Sequence, residues 1–79
     1  MEEEQMRAAT MASIGQLADR QRAAIVLTYY EERPNAEAAA VLGMNIKAFE
    51  SLLLRARQTL RRIFEERGIT MSASGKAEQ

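Results

Sequence analysis

The sequence predicts an all-α fold, a small four-helix domain that carries a helix-turn-helix. Three observations lead there. Ala, Leu, Glu, Arg and Gln dominate, with one proline and four glycines in 79 residues. Apolar residues recur at helical rather than strand spacing. Finally, the segment NAEAAAVLGMNIKAFESLLLRAR, residues 35–57, reads as a short helix, a glycine turn and a longer helix ending in paired arginines.

The first helix is expected over about Glu3 to Gln16, amphipathic through Met6, Thr10, Ile14 and Leu17, with MEEEQ frayed and Gly15 weakening its last turn. The second runs from about Asp19, whose charge suits a helix start, to Glu31. Ala23, Val26, Leu27 and Tyr30 form its core stripe. Ile25 and Tyr29 lie on another face, where they either pack under the first helix or meet a protein partner. Pro34 ends this run, because proline disfavours helical geometry in the residue before it, and a turn falls at Glu32 to Asn35.

The third helix, about Asn35 to Leu42, is alanine-rich and stops at Gly43, a left-handed cap. Asn45 caps the fourth, Ile46 to about Glu66, with Ile46, Phe49, Leu53, Ala56, Leu60, Ile63 and Phe64 facing inward and Gly68 terminating it. SASGKAEQ at the end is small and polar and is expected to be disordered. The chain therefore divides into an amino-terminal helix or linker over 1–17, a helix-turn-helix domain over 18–67 and a tail over 68–79.

Composition narrows the function. A chain of 79 residues holds one small domain. With no cysteine and no histidine, disulfides are excluded and neither a zinc site nor a histidine base has its usual groups. Ser51 has no base near it in sequence, so no catalytic constellation emerges and the protein is expected not to be an enzyme. No cofactor is implied. No apolar run approaches the roughly 20 residues of a membrane span, and the acidic MEEEQ is unlike a secretory signal, so a cytoplasmic location is expected.

The formal net charge is zero, but its distribution is uneven. Residues 1–43 carry four basic and seven acidic side chains, a net of minus three. Residues 44–64 carry Lys47, Arg55, Arg57, Arg61 and Arg62 against Glu50 alone, a net of plus four. A solvated helix face gives the same stripe, as does a nucleic-acid footprint.

A helix-turn-helix needs a small residue where its helices approach, a glycine in the turn and apolar residues that bind the second helix to the body. Ala39, Gly43, and Leu42, Met44, Phe49 and Leu52 or Leu53 meet these needs. On the outward side, Lys47 suits a guanine acceptor, Glu50 a cytosine amine, and Ser51 either role. A lone glutamate such as Glu50 more often serves solubility or an intrahelical pair, here with Lys47 or Arg57, than base reading. Arg55 and Arg57 lie further along, where phosphate contact is the better assignment. Leu54 lies between exposed positions, as a partner-contacting residue would.

LADRQRAAIVLTYYE, NAEAAAVLGM and KAFESLLLRARQTLRRIF together resemble region 4 of sigma-70 family transcription factors, in particular the extracytoplasmic-function group. The resemblance spans about Ile14 to Phe64. It implies a promoter minus-35 element as DNA target, docking on the flap of the RNA polymerase beta subunit, and sequestration by an anti-sigma factor. It places groove-facing residues at Asn45, Lys47, Ala48, Glu50 and Ser51, backbone-contacting arginines at Arg55 and Arg57, and a further phosphate contact at the amino terminus of the third helix, near Asn35.

The chain departs from the pattern in four places. Leu17-Ala18 replaces the usual Leu-Pro, Glu32-Arg33-Pro34 the usual Gly-Leu-Ser, Asn45 the usual serine or threonine while keeping the cap, and Phe49 a branched aliphatic. The lost serine removes an N-cap that Glu37 would complete as a capping box. Region 2, which opens promoter DNA, is missing from the sequence, which is expected to be either an excised domain of a longer factor, with MEEEQ the tail of an interdomain linker, or a free-standing relative. Two other readings share the helices: an output domain of a transcriptional regulator, and an interaction module that uses Ile25, Tyr29 and Leu54.

Overall fold

The computed structural model describes residues 2–69. Four helices follow in order: α1 (Glu2–Gly15), α2 (Asp19–Ile25, continued by a π-helical stretch Val26–Tyr30), α3 (Asn35–Val41) and α4 (Ile46–Arg67). No strand occurs among the described residues. Nor does any helix there have the length and apolar character needed to cross a membrane. SASGKAEQ lies outside the described residues. Helical geometry begins at Glu2, earlier than the frayed start expected of MEEEQ.

One core gathers Ile14 and Leu17 from the α1 end, Ala24, Ile25 and Leu27 from α2, Ala38 and Ala39 from α3, and Phe49, Leu53, Ala56 and Ile63 from α4. Phe49 is its centre, with no exposed surface. Alanines at 38 and 39 let α3 lie close against α4, which larger residues would hold off. Ser13 is fully buried, and its hydroxyl donates to the Ala9 carbonyl at 2.8 Å, so its burial leaves no polar group unpaired.

Several expected core positions differ. Met6 is exposed, because only the carboxyl-terminal end of α1 enters the core. In α2 the buried residues are Ala24, Ile25 and Leu27, whereas Ala23 and Val26 are half-buried and Tyr30 is exposed. The cause is twofold. α2 packs against both α1 and α4, so it buries a wider arc than one stripe. The wider π turn, closed by Glu31 N–H donating to the Val26 carbonyl at 3.0 Å, then rotates later side chains away from α-helical azimuths. Ile25, 2% exposed, is therefore core and not an open face. Ile46 is 44% exposed. It shares an azimuth with buried Phe64, about five turns on, but stands at the helix's first position.

The ends are well determined. Gly43 takes φ 68° and closes α3, with Met44 N–H donating to the Ala39 carbonyl at 2.9 Å and Gly43 N–H to Ala40 at 3.1 Å. That pair of bonds is a Schellman cap. Gly68, at φ 77°, closes α4 the same way: Ile69 donates to Phe64 at 2.8 Å and Gly68 to Glu65 at 3.1 Å. Arg22 caps α1 by donating to the carbonyls of Leu17 at 2.9 Å and Gly15 at 3.3 Å, while bonding Asp19 at 2.6 Å. Arg20 reaches the Leu42 carbonyl at 3.4 Å, at the negative end of α3. With its amide oxygen turned toward Arg67, Gln16 accepts from Nε at 3.0 Å and Nη2 at 2.7 Å, tying the end of α1 to the end of α4.

Candidate nucleic-acid interface

The turn between α3 and α4 fixes where the second helix starts. Left-handed Gly43 reverses the chain, and Asn45 then caps α4, its Oδ1 accepting from the Ala48 amide at 2.8 Å. The cap holds the Asn45 oxygen toward the helix and leaves its Nδ2 hydrogens as free donors. Ala48 is half-buried. With Phe49, Leu53 and Ala56 seated in the core, the opposite face of α4 is turned outward.

That outward face carries Lys47, Ser51, Leu54, Arg55, Gln58 and Arg62, all exposed. Among the described residues, Lys47, Ser51 and Arg55 make no side-chain hydrogen bond or ion pair, so their donors are free. Gln58 and Arg62 were left out of the candidate set by sequence reasoning. The signal was there: they stand seven residues beyond Ser51 and Arg55, two turns along the same stripes.

Glu50 lies toward one flank of α4, where its Oε2 accepts from Asn35 Nδ2 at 3.4 Å. Asn35, the first residue of α3, is thereby joined to the second turn of α4. Intrahelical pairing of Glu50 with Lys47 or Arg57 is not what the structure shows. Pro34 stands at the N-cap of α3 with no side-chain cap bond, the loss expected where the usual serine is absent.

Arg55 and Arg57 are two residues apart and so about 200° apart around the helix. They do not share a face. Arg55 is on the outer side, whereas Arg57 Nη1 donates to the Tyr29 hydroxyl at 2.8 Å. An open cleft of about 140 Å³ lies there, lined by Ile25, Tyr29, Arg57, Leu60, Arg61 and Phe64. Ile25 thus forms its floor, and Tyr29, 50% exposed, its rim.

The loop before α3 places Glu32 at φ 57°, the only non-glycine residue with positive φ among those described. It occupies the position where the resembling family carries glycine. Arg33 follows, held by Glu31 at 2.8 Å and Glu37 at 3.8 Å. The hydrogen bond that Arg33 Nε donates to Glu31, together with the Glu31 charge, raises the Arg33 pKa, so the guanidinium is held more firmly charged. Among the described residues no group of His, Cys, Asp and Glu could hold a metal ion.

No curated protein matches the chain. The family described as Sigma-70, region 4, matches residues 7–60, from α1 through most of α4 and well over half of the sequence. The match covers the turn at Gly43, the cap at Asn45 and the exposed face of α4 as far as Leu60. The chain belongs to the sigma-70 region 4 family, a non-enzymatic class of DNA-binding helix-turn-helix domains that acts on promoter DNA with RNA polymerase.

Proposed function

We propose that this domain recognises the minus-35 element of a promoter through α4 and docks on the flap of the RNA polymerase beta subunit, in the manner of an extracytoplasmic-function sigma factor in the cytoplasm. The observation that carries the reading is the free outer face of α4, with Lys47, Ser51 and Arg55 exposed and unpaired beyond a capped turn. Lys47 donates to a guanine edge, Ser51 meets either partner, and Glu50, steadied by Asn35, accepts from a cytosine amine. Asn45 and Ala48 stand at the entry of the helix into the groove, and the start of α3 at Asn35 meets a phosphate.

Arg55 and Arg57 lie on opposite flanks of that face. A helix lying in a major groove has a phosphate backbone on either side, so the two arginines anchor it to opposite strands. Protein contacts fall to the cleft beside Tyr29, where Arg57 and Arg61 rim an apolar floor. The polymerase flap and an anti-sigma factor are the partners it serves.

Fluorescence anisotropy with duplexes carrying a minus-35 element, against scrambled ones, tests this from about 50 to about 200 mM salt. The expected result is tighter binding to the element at every salt and a steep loss with salt. Equal affinity for both duplexes, or a flat salt response, overturns it.

A further inference from the structure

Leu54 is 50% exposed on the third turn of α4. It stands three residues after Ser51 and seven after Lys47, on the same outward stripe, with Gln58 one turn further on. Its neighbours on that face are polar. An exposed leucine alone needs no explanation. One flanked by the groove-facing donors is in a different position, because whatever covers Lys47 and Ser51 covers it too.

Phosphate oxygens and the donors and acceptors of base edges offer nothing to an isobutyl group. The major groove has one apolar feature, the 5-methyl of thymine. The rise of α4 puts Leu54 about 4.5 Å past Ser51 and about 10 Å past Lys47. That is one to two base steps beyond the base Ser51 faces, at about 3.4 Å per step.

We propose that Leu54 is a specificity-determining residue that packs on the methyl group of a thymine one to two base pairs beyond the position read by Ser51. The inference rests on the promoter reading above and adds a base identity to it. Leu54 contributes no charge, so it selects sequence without adding to salt-dependent affinity.

The experiment starts from the site that the full chain selects out of randomised duplex. Each thymine in that site is then replaced singly by deoxyuridine, which lacks only the methyl. Binding is measured for the wild-type chain, Leu54→Ala and Leu54→Met, with circular dichroism confirming helix content for each. At one thymine the wild type should lose about three- to fivefold in affinity, the scale of one buried methyl. Leu54→Met should keep that sensitivity, and Leu54→Ala should bind the thymine and deoxyuridine duplexes alike.

A selected site at which no thymine methyl matters to the wild type, or at which Leu54→Ala keeps the full sensitivity, overturns the proposal and leaves the promoter reading standing. Leu54→Ala that binds DNA unchanged but loses the beta flap would assign the side chain to a protein partner, and also overturns it. Failure to select any preferred sequence overturns both.

Discussion

Arg57 Nη1 donates to the hydroxyl of Tyr29 at 2.8 Å, and this bond holds one of the two paired arginines on the flank of α4 away from Arg55. A bonded guanidinium keeps its full charge. Tyr29 also retains its own hydroxyl proton to give, so the pair forms a compound donor on one side of the helix.

Arg55→Ala and Arg57→Ala should therefore each weaken binding to every duplex sequence about equally. Each should lower the slope of log affinity against log salt by about 0.9, the loss of one phosphate contact. Tyr29→Phe should weaken binding less than Arg57→Ala and leave the slope unmoved, since no charge is removed. Anisotropy titrations at several salt concentrations read both quantities. A slope altered by Arg55→Ala but not by Arg57→Ala would confine Arg57 to the protein-facing cleft.

Asn45 caps α4, and substitution can separate that role from the DNA contact proposed for it. Its Oδ1 accepts from the Ala48 amide, so Asn45→Ala should cost about 1 kcal/mol of stability. Asn45→Asp keeps the cap and adds a favourable charge at the helix start, so stability should hold or rise slightly. On the proposed docking the same carboxylate meets the negative charge of the DNA, so affinity should fall. Urea denaturation and anisotropy on the same three proteins check it. Affinity that follows stability alone would make Asn45 a cap and nothing more.

Glu32 sits in left-handed backbone at φ 57°, a conformation that costs an L-residue roughly 1–2 kcal/mol. Glycine removes that strain but brings its own entropy cost of about 0.5–1 kcal/mol. The Glu32→Gly change should leave a net gain of about 0.5–1 kcal/mol, or a melting temperature higher by a few degrees. Unchanged or reduced stability would mean that Glu32 makes up the strain through contacts in the folded loop.

The features legible in the sequence are those set by local backbone chemistry. Gly43, Asn45 and Gly68 mark ends that need left-handed geometry or a side-chain acceptor, and each need is met by very few residue types. The inward stripe of α4 was legible for a related reason: α4 is long, and one face of it repeats over 22 residues. In α2 the pattern misleads. Seven α-helical residues pass into a π turn, and which side chains are buried depends on α1 and α4 lying on two sides of it. Nothing local distinguishes Ile25 from Tyr30, yet one is core and the other surface. At the interface, residue types point to Lys47, Ser51 and Arg55. The Asn35–Glu50 and Tyr29–Arg57 bonds join residues 15 and 28 positions apart, and only the packing of the helices brings them together.

The π turn leaves one further mark. The hydroxyl of Thr28 is buried without a hydrogen-bond partner among the described residues. A buried unpaired hydroxyl costs about 1–3 kcal/mol. Valine has nearly the same shape, with a methyl in place of the hydroxyl, so Thr28→Val should stabilise the domain by about 1 kcal/mol. Thr28→Ser should not, since it keeps the unpaired group and loses a methyl. Phe49→Ala provides the scale: emptying the fully buried centre of the core should cost about 3–5 kcal/mol. Chemical denaturation of the three variants gives the order. If Thr28→Val destabilises the fold, the hydroxyl has a partner after all, and a water bound inside the π turn becomes the reading to pursue.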